Sequence, residues 1–396
     1  MKIGILTYHW VYNFGANLQT LSTIGYLRSK GHDPVVINWI PGDSEQQYIA
    51  STSKEQASVF VKFQKEYYPL TKLCRNAKDI ADVIKEEHIE MVFEGADTLF
   101  MLRKPSIDKN TGETRQPFSD MTFPNPFWGE YLNYCQVPVV GFSIATLQTD
   151  AEDFPDIAEE AGRYLKRFSK LTVRDVPTQK LVSSFTRGEI IPKITPDPVF
   201  AFNDNVKVND SEVLSGLGVT PGYYLICVPE PYNQKLKTWV DDLTAIIQSS
   251  GKTVYELPRQ TGVQCFNIPQ LKRTNITPLE WYVLIKNCAG YIGGLMHPIV
   301  SCIHNEVPFY AIDYYGISYH LRYFHRYTRI NTSKTYQIIK ECGLTQYYGH
   351  MRGLFKRVDS PQKVFNKLNS YNKNALKKAS IYKKETLVNA LNDLFQ

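Results

Sequence analysis

One histidine of the chain combines a titratable side chain with a predicted anion-binding position. The stretch from Thr277 to Asp313 reads as a helix, a strand, a glycine turn, a second helix and a second strand. Gly293 and Gly294 let the chain turn sharply after the first strand, which predicts a helix that begins near Pro298. His297 then lies at the N-terminus of that helix, where exposed N–H groups favour an anion. A helix-capping or core histidine is the alternative interpretation.

Charged residues follow other predicted strands in the same way. Asp97 lies at the end of the strand IEMVFEG, Asp197 lies in TPDPVF, and Arg174 follows the strand KLTV. Arg259 comes just after the strand KTVYELP, and Arg322 comes shortly after PFYAID. Ligands bind at the carboxyl edge of open α/β sheets, so these side chains are candidates for ligand contacts. For the arginines the alternative is a surface charge or an ion pair, in the case of Arg174 with Asp175 or a neighbouring acid.

A loop near the N-terminus is the third candidate. Residues Tyr8 to Asn17 separate a strand from a helix and include Asn13, Gly15 and Asn17. Glycine permits close approach of the backbone to a ligand, and the following helix N-terminus offers N–H donors. The loop is therefore predicted to hold part of a substrate, with a simple turn as the alternative.

The elements that position these residues form two α/β halves. KIGILTY, the helix LQTLSTIGYLRSKG and PVVINWI predict a β-α-β unit and hence a parallel sheet. Residues 43–90 are predicted to be mainly helical, and Lys104 to Asn125 to form a long surface loop. The pattern restarts with the strand YYLICVPEP. We expect an N-terminal α/β domain over residues 1–203, a C-terminal α/β domain over residues 204–360, and helices over residues 361–396 that pack back on both.

Composition excludes several classes of protein. The 396 residues are 43% hydrophobic and 21% charged, which is typical of a globular protein with two domains. MKIGILTYHW lacks a small-residue cleavage site, so it predicts a buried strand and a cytoplasmic protein. The seven cysteines are scattered without a CxxC pair, which favours reduced thiols and no metal site. The net charge of +6 is spread along the chain, which argues against nucleic acid.

The same charge suits anionic substrates or a membrane surface. Lysines around 373–384 could hold the protein at anionic lipid on the inner face of the membrane. A solvated helix face is the alternative.

An ordered set of segments resembles the polysaccharide pyruvyl transferase family. They cover most of residues 1–320 and read MKIGILTYHWVYNFGANLQTL, MVFEGADTLF, VVGFSIA, LTVRDVPT, PDPVFAF and GYIGGLMHPIVSCIHNEVPFYAID. The resemblance implies two Rossmann-like domains with a cleft between them, as in GT-B enzymes. It implies phosphoenolpyruvate as donor, a glycan, lipid-linked or not, as acceptor, and no cofactor. Pyruvate would bridge two hydroxyls of one sugar of a cell-surface glycan or its precursor as a ketal.

The resemblance also suggests a role for each candidate. His297 would protonate the enol carbon, Asp97 would deprotonate an acceptor hydroxyl, and Arg174 would bind the donor. The loop with Asn13, Gly15 and Asn17 would hold the acceptor sugar, with the N-terminal domain on the acceptor side and the C-terminal domain on the donor side.

One position departs from the family pattern. An arginine often stands two residues before the histidine, whereas this chain has Leu295 there. Arg259 or Arg322 could supply the missing charge. Two other functions therefore remain open, a GT-B glycosyltransferase that uses a nucleotide sugar and a non-catalytic glycan-binding protein.

Overall fold

The chain forms two units of α/β structure. The computed structural model describes residues 1–108, 111–147, 149–228, 234–313, 317–320, 325–328, 333–350 and 358–395. One unit comprises Met1–Val206 together with Thr386–Gln396, and the other comprises Lys207–Glu385.

A parallel sheet forms the centre of the first unit. Its strands are β1 (Lys2–Leu6), β2 (Asp33–Val36), β3 (Met91–Asp97), β6 (Val139–Ile144), β7 (Lys170–Val173) and β8 (Lys193–Ile194). Within the described residues they lie in the order β2-β1-β3-β6-β7-β8, and every pair is parallel. The predicted β-α-β unit is confirmed, because β1 pairs with β2 in parallel.

Helices connect these strands. They are α1 (Phe14–Ser29), α2 (Gly42–Ser51), α3 (Lys54–Tyr67), α4 (Ala77–Glu86), α5 (Ala158–Leu165), α6 (Val176–Phe185) and α7 (Phe202–Asn205). The three helices α2 to α4 confirm that residues 43–90 are mainly helical. Almost all of α1 is buried, and a Cβ added at Gly25 would lie 2.2 Å from the carbonyl oxygen of Asn205. Glycine therefore lets α1 approach the backbone of α7 closely.

The segment from Lys104 to Asn125 is more structured than the predicted loop. Strands β4 (Ser106–Ile107) and β5 (Thr114–Arg115) pair antiparallel, while residues 109 and 110 lie outside the described part. Asp120 is buried and accepts hydrogen bonds from Tyr8 Oη, at 2.7 Å, and from Ser44 Oγ. Most described residues of the segment lie at the surface as predicted, whereas Asp120 is buried because its carboxylate binds partners that are distant in sequence.

A second parallel sheet forms the centre of the other unit. Its strands are β9 (Tyr224–Cys227), β10 (Val254–Glu256), β11 (Gly290–Gly293), β12 (Phe309–Asp313) and β15 (Tyr348–His350). Among the described residues their order is β10-β9-β11-β12-β15, all parallel. Two further strands, β13 (Ile317–His320) and β14 (His325–Thr328), pair antiparallel.

The helices of this unit include one whose start the sequence predicts closely. They are α8 (Asp210–Leu217), α9 (Gln234–Ser249), α10 (Pro278–Lys286), α11 (Met296–His304), α12 (Lys334–Glu341), α13 (Pro361–Asn369) and α14 (Lys373–Leu394), the last of which ends in the first unit. Thr277 and Glu280 form the predicted capping box, with Pro278 at the first helical position.

Short 3-10 helices complete the fold. They are Ser119–Met121, Pro126–Trp128, Glu130–Asn133, Ala151–Asp153, Pro155–Ile157, Pro198–Ala201 and Thr345–Tyr347. In the first unit, Tyr26 Oη donates to Asn392 Oδ1 at 3.2 Å, so the end of α14 packs beside α1.

Candidate functional site

Charged side chains from three strands meet at the carboxyl edge of the first sheet. Asp97 is the last residue of β3, Arg174 directly follows β7, and Asp197 comes soon after β8. Arg174 Nη1 donates to Asp197 Oδ2 at 3.0 Å, and Arg174 Nη2 lies 3.8 Å from Asp97 Oδ1. The structure thus brings together three candidate residues, Asp97, Arg174 and Asp197.

The partner of Arg174 is a neighbouring acid and not Asp175. Asp175 instead caps α6 and accepts from the backbone N–H of Thr178 at 2.9 Å. Only 5% of the Arg174 side chain and 1% of the Asp197 side chain are exposed. Asp197 Oδ2 also accepts from Gln19 Nε2 at 2.5 Å. These contacts give Arg174 a structural role, and donor binding by Arg174 stays a prediction.

Asp97 is the more accessible of the two carboxylates. Its side chain is 19% exposed, and its Oδ1 accepts from the backbone N–H of Thr98 at 2.7 Å. Its φ of +117° is one that few non-glycine residues adopt, and such positions cluster at functional sites. Asp97 can therefore meet a ligand at the sheet edge, while its role as a base stays a prediction.

The N-terminal loop residues mainly serve the fold. Asn13 is the N-cap of α1 and accepts from the backbone N–H of Ala16 at 3.1 Å. Gly15 is buried in the first turn. Asn17 is fully buried and donates to the carbonyls of Val11 and Asn13 at 2.9 and 2.8 Å. These contacts stabilise the start of α1, while sugar binding by Asn13, Gly15 and Asn17 stays a prediction.

His9 is a residue of this edge that the sequence reasoning missed. His9 lies shortly after the end of β1, at the same edge of the sheet as Asp97. Together with Asn38, which lies shortly after the end of β2, it lines a cavity of about 230 Å³. The signal available in the sequence was its place directly after the first predicted strand.

His297 lies where the sequence predicts, in the first turn of α11 after β11. A Cβ at Gly293 would lie 2.2 Å from the Cys227 carbonyl oxygen, so glycine lets the chain pass close to β9. The backbone N–H of Gly294 then donates to the same carbonyl at 3.2 Å. The helix begins at Met296, and the His297 side chain is half-buried. The turn thus places His297 in the first turn of α11, at a helix N-terminus where backbone N–H groups favour an anion.

Arg259 is fixed at the same sheet edge. Its Nη2 donates to the carbonyl of Val228, just after β9, at 2.7 Å, and its Nε lies 3.5 Å from Glu256 Oε1. Burial raises the pKa of Glu256, while backbone N–H donors and Arg259 oppose that rise. Arg322, the other arginine predicted to replace the missing charge, lies outside the described residues.

In the described part of the chain, no group of three or more His, Cys, Asp or Glu side chains is placed to hold a metal ion. Among the same residues, no helix combines the length and apolar character needed to cross a bilayer. The seven cysteines all lie in that part and form no disulfide bond, and four of them are buried.

Two parallel sheets flanked by helices, each with polar residues at its carboxyl edge, define a two-unit α/β protein. Similar solved structures include UDP-GlcNAc 2-epimerase from Neisseria meningitidis bound to UDP-GlcNAc, at 10% identity and a TM-score of 0.56, covering 100% of this chain and 99% of that chain. A putative UDP-N-acetylglucosamine 2-epimerase from Listeria monocytogenes has 10% identity and a TM-score of 0.53, and the match covers 100% of this chain and 96% of that chain. E. coli ADP-heptose lps heptosyltransferase II has 9% identity and a TM-score of 0.46, and the match covers 96% of this chain and 99% of that chain.

At 10% identity the likeness to the two epimerase structures concerns the fold alone, and it confirms the predicted GT-B-like α/β class. The family follows from the sequence, because the sequence model of the polysaccharide pyruvyl transferase family matches residues 13–315 of this chain. The chain therefore belongs to the polysaccharide pyruvyl transferase family. No curated protein matches the sequence significantly.

Proposed function

We propose that the protein is a ketal pyruvyltransferase. It moves pyruvate from phosphoenolpyruvate to two hydroxyls of one sugar in a cell-surface glycan or its precursor, and it needs no cofactor. Family membership is the observation that carries this proposal, because the matched residues 13–315 include the candidates Asp97, Arg259 and His297.

The carboxyl edge of the second sheet supports a site for the donor. Phosphoenolpyruvate carries a carboxylate and a phosphate, and both need N–H donors or cations. The first turn of α11 offers N–H groups, and Arg259 offers a guanidinium at the same edge. Arg322 is retained as a second candidate for the charge that the family places before the histidine.

The chemistry assigns a proton transfer to each of two side chains. His297 gives a proton to C3 of phosphoenolpyruvate, which makes C2 electrophilic, and an acceptor hydroxyl attacks C2. Asp97 takes the proton of that hydroxyl. The bond between C2 and the phosphate oxygen breaks, the phosphate takes its electron pair, and the second hydroxyl adds to C2 to close the ketal. The proton of the first hydroxyl offsets the one that His297 gives to the new methyl group, and the proton of the second hydroxyl ends on the released phosphate.

We further propose that the protein works in the cytoplasm at the inner face of the membrane, on a lipid-linked acceptor. Free thiols fit a reducing compartment. One face of α14 carries exposed Lys377, Lys378, Ile381 and Tyr382, with the two apolar side chains 45% and 57% exposed. Lysines beside exposed apolar groups suit an anionic lipid surface.

Thermal-shift titration tests the donor. A compound that binds the folded state raises the melting temperature, so phosphoenolpyruvate should do so at concentrations where UDP-sugars and ADP-sugars do not. Stabilisation by a nucleotide sugar alone would favour the glycosyltransferase alternative. Stabilisation by glycan fragments without any donor would favour a non-catalytic glycan-binding protein.

A further inference from the structure

A cavity lies at the carboxyl edge of the first unit's sheet, beside β1 and β2. Its volume is about 230 Å³, and its lining includes His9, Trp10, Tyr12, Asn38, Val61 and Lys65. Small-ligand sites combine apolar or aromatic walls with a few placed polar groups, and this lining has both. His9, Trp10 and Tyr12 belong to the loop from Tyr8 to Asn17 that the sequence predicts to hold part of a substrate, although the candidates singled out in that loop were Asn13, Gly15 and Asn17.

Aromatic side chains give the cavity firm walls. The Tyr12 ring stacks on Phe60, with centroids 5.7 Å apart and planes within 15°. Trp10 packs near Tyr8, whose hydroxyl is held by buried Asp120. Such rings can pack against the C–H face of a sugar, while the hydroxyls of the sugar require hydrogen-bonding partners.

One side chain just after β2 can supply such a partner. His9 Nδ1 lies 3.1 Å from the carbonyl oxygen of Thr7, and His9 Nε2 lies 3.1 Å from Asn38 Oδ1. Both ring nitrogens of His9 thus face groups of the protein, and burial lowers the pKa of this histidine. Because Asn38 presents its amide oxygen to His9, its NH₂ group is the part of the side chain that can donate to a ligand hydroxyl.

The charges of the lining limit the kind of ligand. Among the lining residues that the structure describes, Glu45 is the acid and Lys65 the base, so their formal charges cancel. Glu45 also pairs with Arg75 at 2.8 Å. A nucleoside diphosphate or another strongly anionic ligand would require more cations than this lining offers.

We propose that this cavity binds one neutral sugar unit, a hexose or an N-acetylhexosamine, of the acceptor glycan. The identity of that sugar as an acceptor rests on the proposed function, whereas sugar binding itself does not. Trp10 and Tyr12 contact the ring of the sugar, and Asn38 and Lys65 bind its hydroxyls.

Saturation-transfer NMR with methyl glycosides of common hexoses and N-acetylhexosamines tests the site. At least one glycoside should bind the wild-type protein without phosphoenolpyruvate. Val61→Trp fills the cavity from α3 and should weaken that glycoside at least tenfold. Lys65→Ala should weaken it severalfold, while Lys62→Ala, an exposed lysine of the same helix outside the lining, should leave it unchanged.

Absence of binding by every glycoside would overturn the proposal, as would unchanged binding by a folded Val61→Trp protein. If Val61→Trp does not fold, equal affinities for Lys65→Ala and Lys62→Ala would overturn it. Thermal shift with phosphoenolpyruvate on the same proteins separates this site from the proposed function. If a glycoside binds but phosphoenolpyruvate does not raise the melting temperature, the result contradicts only the proposed pyruvyltransferase function. If phosphoenolpyruvate raises the melting temperature but Val61→Trp binds the glycoside as the wild type does, the result contradicts only sugar binding in the cavity.

Discussion

Arg174 and Asp197 form a buried ion pair at the carboxyl edge of the first sheet, with Nη1 and Oδ2 3.0 Å apart. The pair joins the end of β7 to the segment after β8, and Gln19 on α1 adds a hydrogen bond to the same carboxylate oxygen. The sheet edge that carries Asp97 is therefore organised by a guanidinium whose charge is balanced inside the protein.

Replacing Arg174 should lower the free energy of unfolding of the protein. Arg174→Ala leaves the Asp197 carboxylate buried without its cation, which costs about 3–5 kcal/mol for a broken buried pair. Arg187→Ala, in which an exposed arginine loses only an exposed partner at 3.7 Å, should change stability by less than about 0.5 kcal/mol. Urea unfolding measures both. Equal stability of the two variants, with weaker phosphoenolpyruvate binding for Arg174→Ala, would instead make Arg174 a donor ligand.

Glu94 should make stability depend on pH. It is fully buried in β3 and accepts from Tyr131 Oη at 2.7 Å; burial raises the pKa of this carboxyl well above its ordinary value. A group whose pKa is higher in the folded state than in the unfolded state contributes stability that is fully present below the unfolded-state pKa, which is about 4.3 for Glu. That contribution is lost as the pH rises towards the folded-state pKa. Glu94→Gln, which keeps an acceptor, should therefore gain stability relative to the wild type as the pH rises.

Urea midpoints measured from about pH 4.5 to pH 8 check this difference. Glu86→Gln removes an exposed carboxylate and should give a curve parallel to that of the wild type. Parallel curves for Glu94→Gln and the wild type would show that the Glu94 carboxyl titrates normally.

Gly293 should not accept a side chain. The Cβ of Gly293→Ala would meet the Cys227 carbonyl oxygen and Tyr291 Oη, each at 2.2 Å. Overpacking of this kind costs about 1–3 kcal/mol, and it would displace the turn that leads to His297. Gly216→Ala, in α8 with open space around the new Cβ, should instead be neutral or stabilising. Thermal unfolding of both variants gives the comparison, and equal melting temperatures would contradict the close approach.

Charge reversal on α14 should release the protein from anionic vesicles. Lys377→Glu with Lys378→Glu removes two cations beside Ile381 and Tyr382, and each lysine near such a surface contributes about 1 kcal/mol. Binding to vesicles of phosphatidylglycerol and phosphatidylcholine should weaken at least tenfold in a sedimentation assay. Lys235→Glu with Lys237→Glu makes the same change in net charge on α9 and should have little effect. Equal losses for the two pairs would indicate a general charge effect.

Local patterns in the sequence predicted the local parts of this structure. The capping box of α10, the β-α-β unit and the glycine turn before His297 depend on residues close in the chain, and all three are confirmed. The contacts between Gln19 and Asp197 and between Tyr8 and Asp120 join residues 178 and 112 positions apart. Such pairings follow from tertiary packing and have no periodic signal, so the sequence could not identify Asp197 as the partner of Arg174, the burial of Asp120 or the cavity beside His9.

Phosphate release from phosphoenolpyruvate by the wild type and by His297→Asn tests the central claim most directly. With methyl hexosides and N-acetylhexosaminides as acceptors and a metal chelator present, the wild type should release phosphate and form a pyruvate ketal. The variant keeps a polar side chain but loses the acid, so its turnover should fall by about two to four orders of magnitude, with donor affinity little changed. Absence of donor-dependent phosphate release by the wild type would contradict pyruvyl transfer. Near-normal turnover by a variant that melts several degrees lower would make His297 a structural residue.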